Sequence, residues 1–547
     1  MVPALTRLGC NAGACHGAAA GRGGLSLSLY GGDPASDYDA IVRAFRGRRV
    51  NRVRPEDSLL LLKATESIDH GGGPVLDDEG DAYRLLRDWI ADGAKRESGG
   101  KLTAVAVTPS RATTALGETV SLRATATFED GTVRDVTRWT TFVAEDSSAV
   151  RVEADRDPQA PTAVPLRRGR HVVIARHRDR VHAVELIVPL SDAPTEYETT
   201  SQTNFVDRHV FAGLQDLRLP ASPPTTDAAF LRRVTLALTG RLPTPDAAVA
   251  FAADRDPEKR VKRIDELLAS EAFVQYWTYR LAELLRIRPH EADGRDARLY
   301  QDWLAERLRE QAGYDAIISD LLKAVGDGRT AGPPNFHRVG KNPRERAEFV
   351  SEALMGVRLR CANCHNHPLD RWTQDDFHGL AAVLAGVTSG PSVRPDPEAK
   401  VVHPRTGEPA RPQIPGGPPT GVRGPAALAS WLTEPENPYF AKAFVNRLWK
   451  ATVGRGLVEP ADDFRATNPA THPALLNELA DEFVAHGYDL RRTLRTITLS
   501  AALARSAEAL PGNAADDRFL SHFPRTPLPP AVLADAVSDV LGVSERY

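Results

Sequence analysis

All four cysteines of the 547-residue chain lie in two short motifs, and each motif ends in Cys-His. The first motif holds Cys10, Cys15 and His16, and the second holds Cys361, Cys364 and His365. The C-x-x-C-H spacing of the second is typical of c-type haem attachment, in which two thiols bond to one haem and the histidine binds its iron. The first motif has two extra residues, and its Asn-Ala-Gly-Ala loop is small enough to absorb them. The sequence therefore predicts two covalently attached haem c groups, with a histidine of each motif as the proximal iron ligand.

Two other interpretations of the cysteine pairs stay open at this point. A structural zinc site could use Cys361, Cys364, His365 and His367, although adjacent Cys-His ligands fit a tetrahedral site poorly. Each pair could also be a redox-active dithiol or a buried disulfide.

A six-coordinate haem needs a second axial ligand. His70, in the sequence Asp-His-Gly-Gly-Gly, is the only histidine after His16 within residues 1–97. We therefore predict His70 as the distal ligand of the first haem, and bis-histidine ligation gives a lower potential than Met/His ligation. The alternative is a surface histidine in a glycine-rich turn.

The sixth ligand of the second haem is less defined. Met355, His367, His378 and His337 are the candidates near the motif, and each has an ordinary structural explanation. An open sixth position is also compatible with the sequence and would suit small-molecule chemistry such as peroxide reduction.

The remaining sequence predicts a multidomain, mainly α-helical protein with one all-β immunoglobulin-like sandwich. The predicted parts are a small helical cytochrome c-like haem domain (1–97), a β-sandwich of five to seven strands (102–190), a helical domain with the C-x-x-C-H motif (200–385), a Pro/Gly-rich linker or loop (386–424) and a helical C-terminal domain (425–547). Period-two alternation of apolar residues marks the strands, and an Asp-Gly turn within "EDGTVRDVT" joins two of them.

Apolar residues at helical spacing predict several of the helices. One helix precedes Gly93 and presents Tyr83, Leu85, Leu86, Trp89 and Ile90. Two more signals lie further along the chain. Thr244 and Pro245 read as the N-cap and first residue of a helix, and Phe273, Trp277, Leu281 and Leu284 share one face.

Bulk composition excludes some classes of protein. The net charge of −3 argues against nucleic-acid binding, which needs a concentrated positive face. There is no apolar run long enough for a transmembrane helix, and no export signal is visible at the start of the chain.

The C-terminal region carries a polar cluster with two interpretations. Its members are Arg447, Arg455, Asp462, Asp463, Arg465, Asn468 and His472. They could bind an anion or a sugar, or they could form a salt-bridge network that fixes loops between helices, and we favour the network.

Several stretches resemble known families. Residues 1–97 resemble the planctomycete cytochrome c domain, whose "WIxxGA" helix is here "WIADGA" and whose usual methionine segment is replaced by "HGGG". Residues 102–190 resemble a bacterial Ig-like domain through "DGTVRDVTRWT". "FLRRVTLALTGRLPT" and "RCANCHNHPLDRW" resemble a planctomycete-specific cytochrome-like domain of unknown function, and "NPYFAKAFVNRLWKATVGRGLVEP" resembles the domain that usually follows it.

These resemblances imply haem at both motifs and an extracytoplasmic location, in the periplasm or at the cell surface. The last family normally continues further, which implies a truncated C-terminal domain. The sequence thus predicts a dihaem c-type cytochrome that transfers electrons to a redox partner protein. Two alternatives stay open: a dihaem peroxidase-like oxidoreductase, and an envelope scaffold that binds polysaccharide and carries accessory haem.

Overall fold

The computed structural model describes residues 1–547 except 19, 97–99, 101, 155–156, 193–194, 196–203, 418–423 and 544–547. It forms two compact units: Met1–Pro189 with Cys361–Gln374, and Leu190–Arg360 with Asp375–Tyr547. The predicted domain ends at residues 97, 200 and 547 fall outside the described residues. The sequence placed the second cysteine motif in the helical region 200–385, whereas the structure groups it with the first unit. This grouping depends on contacts between residues far apart in the chain, which local sequence patterns do not record.

Short helices joined by tight turns begin the first unit. The α-helices are α1 (Val2–Arg7), α2 (Pro34–Tyr38), α3 (Leu59–Ala64) and α4 (Asp81–Ala91). Helix α4 buries Leu86 and Ile90, and the chain leaves it through Gly93, whose φ of +89° suits glycine. Leu85 was predicted on the same apolar face but is 37% exposed. It lies on the side of the helix that faces away from the surface buried by Leu86 and Ile90.

A β-rich region follows, as the sequence predicts. Its strands are β1 (Leu102–Thr108), β2 (Arg111–Thr113), β3 (Val120–Ser121), β4 (Arg123–Phe128), β5 (Val133–Asp135), β6 (Thr141–Ala144), β7 (Val150–Glu153), β8 (Thr162–Pro165), β9 (Gly169–His177) and β10 (Arg180–Val188). They exceed the expected five to seven, because segments such as β2 and β3 pair over only two or three residues. The predicted turn between β4 and β5 is confirmed, with Gly131 at a φ of +79°.

These strands pair in three small sheets around a shared apolar core. The orders are β1-β4-β5, β2-β10-β9-β6 and β3-β8-β7, and all pairs are antiparallel except β2 with β10. Side chains from different sheets, among them Val107, Phe142, Val150 and Val173, bury one another.

The second unit is mainly helical. Its α-helices are α5 (Phe205–Leu217), α6 (Asp227–Thr239), α7 (Pro245–Ala253), α8 (Lys259–Ala269), α9 (Glu271–Leu284), α10 (Arg295–Arg309), α11 (Tyr314–Lys323), α12 (Pro343–Met355), α13 (Gln374–Leu384), α14 (Pro425–Leu432), α15 (Phe440–Val453), α16 (Pro473–Ala485), α17 (Leu490–Thr498), α18 (Ala501–Ala504) and α19 (Pro530–Leu541). A short antiparallel pair, β11 (Gly326–Asp327) with β12 (Ser392–Val393), completes the set. None of the helices in the described part of the chain is both long and apolar enough to cross a membrane.

Local signals place several of these helices correctly. The Thr244 side chain accepts a hydrogen bond from the backbone N–H of Ala247, so it caps α7 as predicted. On α9 the predicted face buries Phe273, Trp277 and Leu281, whereas Leu284 is only half-buried.

The Pro/Gly-rich segment beginning at residue 386 is an extended loop over its described part. Val393 and Val401 are buried, and the backbone N–H of Gly416 donates to the carboxylate of Asp376 on α13 at 2.8 Å. Apolar and polar contacts therefore hold this loop within the second unit.

His337 ties the end of α11 to a neighbouring turn. It is 1% exposed and lies against the end of α11, close to the backbone of Leu321, Leu322 and Ala324, where a helix end leaves carbonyl groups without helical partners. Burial, with a contribution from the cationic Arg346, lowers the pKa of His337 to about 4. His337 is therefore a neutral, structural histidine in the native state near pH 7.

Because the pKa of His337 is low, we expect the free energy of unfolding of the second unit to decrease in acid. An unfolded histidine takes up a proton near pH 6.5, so the unfolded state binds more protons and stability falls as pH drops from about 6.5 to about 4. We expect His337→Gln to reduce this loss by up to about 3 kcal/mol, measured as the free energy of urea unfolding against pH. The control is His486→Gln, at the exposed end of α16. An unchanged pH slope in His337→Gln would contradict the assignment.

Candidate functional site

The first cysteine motif lines a cavity of about 560 Å³ in the first unit. This volume is in the range of cofactor pockets, about 300–1,000 Å³. Cys10, Cys15, His16 and His70 all line it, so the structure brings the four predicted site residues of residues 1–97 together. The rest of the wall is largely aliphatic, with Leu5, Leu27, Ile41, Leu60, Leu76 and Leu86 among its members. Such a wall excludes water from a large apolar ligand.

The loop between the two cysteines is compact in spite of its two extra residues. The backbone N–H of Cys15 donates to the carbonyl of Ala12 (2.9 Å), and that of His16 donates to the carbonyl of Cys10 (3.0 Å). Gly17 closes the loop so tightly that a Cβ atom there would lie 2.1 Å from the Asn11 carbonyl oxygen. The backbone thus places His16 next to the start of the motif, although the spacing departs from C-x-x-C-H.

His16 is oriented by two backbone carbonyl groups. Its Nδ1 atom lies 3.1 Å from the carbonyl oxygens of Arg22 and of Leu25. A carbonyl oxygen only accepts hydrogen bonds, so Nδ1 carries the proton and Nε2 keeps its lone pair. This arrangement is typical of histidines that bind a metal through Nε2.

His70 is held in the same way by the glycines that follow it. Its Nδ1 atom lies 2.9 Å from the carbonyl oxygen of Gly73, and the Gly73 N–H donates back to the His70 carbonyl at 2.8 Å. Gly73 has a φ of +71°, and a Cβ at Gly72 would lie 3.0 Å from the imidazole. The Gly-Gly-Gly sequence is therefore the turn that wraps His70 and leaves its Nε2 available.

The two imidazoles have the separation of ligands on opposite sides of one metal ion. Their centroids are 6.2 Å apart and their planes differ by 18°. Metal–imidazole bonds are about 2.0–2.1 Å long and a ring nitrogen lies about 1.1 Å from its centroid, so two such ligands give about 6.3 Å. The residues present therefore fit a haem with His16 and His70 as axial ligands, and Cys10 and Cys15 would hold it covalently.

The thiols near this cavity are not a disulfide. All four cysteines of the chain are free, and burial, with a contribution from nearby Cys15, raises the pKa of the Cys10 thiol to about 11. In the part of the chain that the structure describes, no three His, Cys, Asp or Glu side chains gather in a way that could hold a metal ion. The disulfide interpretation is therefore wrong for this structure, and the four-ligand zinc site at the second motif is not formed.

The second cysteine motif lies on a single helical turn. The 3₁₀-helix Leu359–Asn363 leads into it, and the backbone N–H groups of Cys364 and His365 approach the carbonyl of Cys361 at 3.4 Å. Both thiols are exposed. The Nδ1 atom of His365 lies 2.9 Å from the Asn366 carbonyl oxygen, so Nε2 is again the free nitrogen. The local geometry fits attachment, but the motif presents its thiols at the surface.

Polar contacts hold this turn within the first unit. The Asn366 side chain donates to the carbonyl of Gly32 (2.9 Å), and Arg176 donates to the carbonyl of Pro368. The Arg176 guanidinium also lies 4.3 Å from the centroid of the Tyr30 ring. Tyr30 in turn donates its backbone N–H to the carbonyl of Asn11 in the first motif. The segment Tyr30–Gly32 therefore contacts both cysteine motifs.

The candidates for a sixth ligand at the second motif have other local roles. Met355 is fully buried at the end of α12, and His378 is buried with its ring 4.9 Å from that of His403. His367 accepts a hydrogen bond from the backbone N–H of Leu369, and His337 ties the end of α11 as described above. These contacts assign none of the four residues as a sixth ligand at the second motif.

The C-terminal polar cluster forms separate contacts that join two loops, join helix α15 to helix α12, and hold one loop internally. Asp462 pairs with Arg358 at 2.7 Å, Arg447 donates to the carbonyl of Glu352 at 2.6 Å, and Asn468 donates to the carbonyl of Asp463 at 2.9 Å. This pattern favours the structural interpretation, a network that fixes loops.

Comparison with protein families identifies two regions. Residues 205–389 match the family PSCyt2, described as a protein of unknown function (DUF1549), and residues 425–546 match the family PSD1, also described as a protein of unknown function (DUF1553). A comparison with curated proteins finds no match. The chain thus combines a β-rich first unit with a PSCyt2 domain and a following PSD1 domain, the planctomycete-type pair of domains.

Proposed function

We propose that this protein is an extracytoplasmic dihaem c-type cytochrome that carries out electron transfer. The observation that carries the proposal is the first cavity, where two thiols and two imidazoles with centroids 6.2 Å apart lie inside an aliphatic wall. The name of the PSCyt2 family is compatible with haem at the second motif, and attachment of c-type haem outside the cytoplasm is the reason for the proposed location.

Each side chain of the first site has a defined role in this proposal. Cys10 and Cys15 would form the thioether bonds, and His16 and His70 would bind the iron through Nε2. Backbone carbonyls on both Nδ1 atoms keep the rings from rotating and increase their basicity. The haem, when bound, supplies a reversible one-electron iron couple.

Histidine on both sides favours electron transfer over small-molecule chemistry at the first site. With His16 and His70 both bound to the iron, a haem in this cavity would offer no vacant position to a substrate. The backbone carbonyls that hold both rings would limit their movement when the iron changes oxidation state. Bis-histidine ligation also lowers the reduction potential relative to Met/His ligation.

The second site supports the same function and leaves one alternative. We propose Cys361 and Cys364 as its attachment points and His365 as its proximal ligand. Its exposed thiols make it the position where a dihaem peroxidase-like oxidoreductase would have an open iron, and this observation keeps that second candidate function.

The other regions receive roles that rest on resemblance. The β-rich region, proposed to be a bacterial Ig-like domain, would act as a spacer, and a separate protein would serve as redox partner. An envelope scaffold that binds polysaccharide remains the other alternative, and glycan binding by the intact chain would distinguish it.

Haem content tests the proposal directly. The full chain, given an export signal, is produced in a host with c-haem maturation machinery, and haem per chain is measured by pyridine haemochrome. We expect two haems in the parent chain and one in each double variant, Cys10→Ala/Cys15→Ala and Cys361→Ala/Cys364→Ala, because each pair forms its own thioethers. The two variants are matched controls for each other.

The outcomes of this experiment separate the hypotheses. One haem, lost only with Cys10 and Cys15, would restrict the proposal to a monohaem cytochrome. A chain without haem would overturn the proposal and leave the scaffold alternative in front.

The proposed role of His70 as an iron ligand is tested by substituting His70 while Cys10, Cys15 and His16 stay unchanged. In a chain that also carries Cys361→Ala/Cys364→Ala, His70→Ala should open the sixth position, so the reduced protein should bind carbon monoxide with a shifted Soret band. His70→Met should raise the reduction potential, because a thioether replaces an imidazole. His182→Ala, on strand β10 and outside the cavity lining, is the control. Carbon monoxide binding by the unmodified site would show that His70 is not its ligand.

A further inference from the structure

The lining of the first cavity carries an excess of positive charge that the proposed haem ligands do not use. Its lining includes four cationic side chains, Arg22, Arg48, Arg49 and Lys63, and only one carboxylate, Asp69. Lys63 donates to the backbone carbonyl of Asp69. An otherwise aliphatic cavity with this excess of positive charge is suited to an apolar ligand that carries acidic groups.

Arg49 is the most constrained of these cations. It is 4% exposed, and its guanidinium donates to the carbonyls of Ala40 (2.9 Å) and Gly24 (2.5 Å). Among the described residues, no carboxylate forms an ion pair with it. Burial, together with the charge of Arg48, lowers the pKa of Arg49. A buried charge without a counter-ion is costly, so an anion that binds beside it gains from that unbalanced charge.

Arg48 is held beside Arg49 by a shared aromatic ring. Each guanidinium lies 5.0 Å from the centroid of Phe45, an orientation that is favourable for cation–π contact. The backbone of Phe45 and Arg46 has φ values of +52° and +60°, which ordinary side chains rarely adopt. The turn Phe45–Gly47 therefore places two like charges next to each other in the cavity lining, where an anion would reduce their repulsion.

Two other arginines of the same basic segment have carboxylate partners. Arg43 pairs with Asp39 at 3.0 Å and Arg54 pairs with Asp57 at 3.5 Å. Arg48 and Arg49, which line the cavity, differ from these two by having no carboxylate partner among the described residues.

We propose that Arg48 and Arg49, supported by Arg22 and Lys63, form the binding site for the two carboxylates of the porphyrin in the first cavity. This inference rests on the proposed haem function and adds to it the residues that recognise the propionate side chains. Arginine suits the task because its planar donors match a carboxylate. The covalent and axial ligands fix one edge and the centre of the macrocycle, and the cations would fix its acidic edge.

The test compares two porphyrins that differ only in these carboxylates. The probes are ferric haemin and its dimethyl ester, titrated by Soret absorbance into the full chain with all four cysteines changed to alanine, so that binding is reversible. Charge-assisted hydrogen bonds contribute about 1.5–3 kcal/mol each, so haemin should bind at least about tenfold more tightly than the ester. In Arg48→Gln/Arg49→Gln this preference should fall to within about twofold.

Control variants separate charge from structure. Arg43→Gln and Arg54→Gln remove paired cations of the same segment and should keep the preference, and Arg49→Lys should keep most of it because the charge remains. Circular dichroism of each variant checks that the β-rich first unit is folded. If Arg49→Gln unfolds, Arg48→Gln alone, at an exposed position, should still reduce the preference.

The outcomes distinguish the two proposals. Binding of neither porphyrin would overturn the proposed function of the cavity together with this inference. Equal binding of haemin and its ester, or an unchanged preference in the Arg48 and Arg49 variants, would overturn only the inference about the cations.

Discussion

The separation of His16 and His70 is the constraint on which the first site depends. Two imidazoles whose centroids lie 6.2 Å apart are too distant for a direct hydrogen bond between their ring nitrogens, so no polar contact between the rings holds this arrangement. It is maintained from outside, by carbonyl groups of Arg22, Leu25 and Gly73. The aliphatic wall and the compact Cys10–Gly17 loop then follow as the means of placing one ring opposite the other.

The same device recurs at the second motif in a different environment. His365 also directs Nδ1 at a backbone carbonyl and leaves Nε2 free, yet its neighbouring thiols are exposed. A haem in the apolar first cavity would be shielded from water, whereas one at an exposed turn would keep an edge in solvent. Solvent exposure tunes the potential of a metal centre, so two sites of similar ligand chemistry can differ in potential within one unit.

The sequence could predict that Cys10, Cys15, His16 and His70 lie together because their signals are local. Cysteine spacing, the adjacent His16 and the glycines after His70 each lie within a few residues, and the structure brings all of them to one cavity. The coarse order of a β-rich region followed by helices was predictable from periodicity for the same reason. By contrast, Leu85 was predicted to be buried but is 37% exposed. The width of the buried face of a helix depends on what packs against it, and the sequence of the helix does not record that.

The features that sequence reasoning missed all depend on distant contacts. Nothing near Cys361 indicates that Asn366 donates to Gly32 or that Arg176 reaches Pro368, and the basic run around Phe45 carries no sign that only some of its arginines lack partners. One such contact involves residues that are far apart in the sequence. The segment Tyr30–Gly32 contacts Asn11 in the first motif and Asn366 just after the second. Both contacts are hydrogen bonds to one short segment, and all of these residues lie in the first unit. The two cysteine motifs are therefore parts of one structural unit, although 345 residues of sequence lie between Cys15 and Cys361.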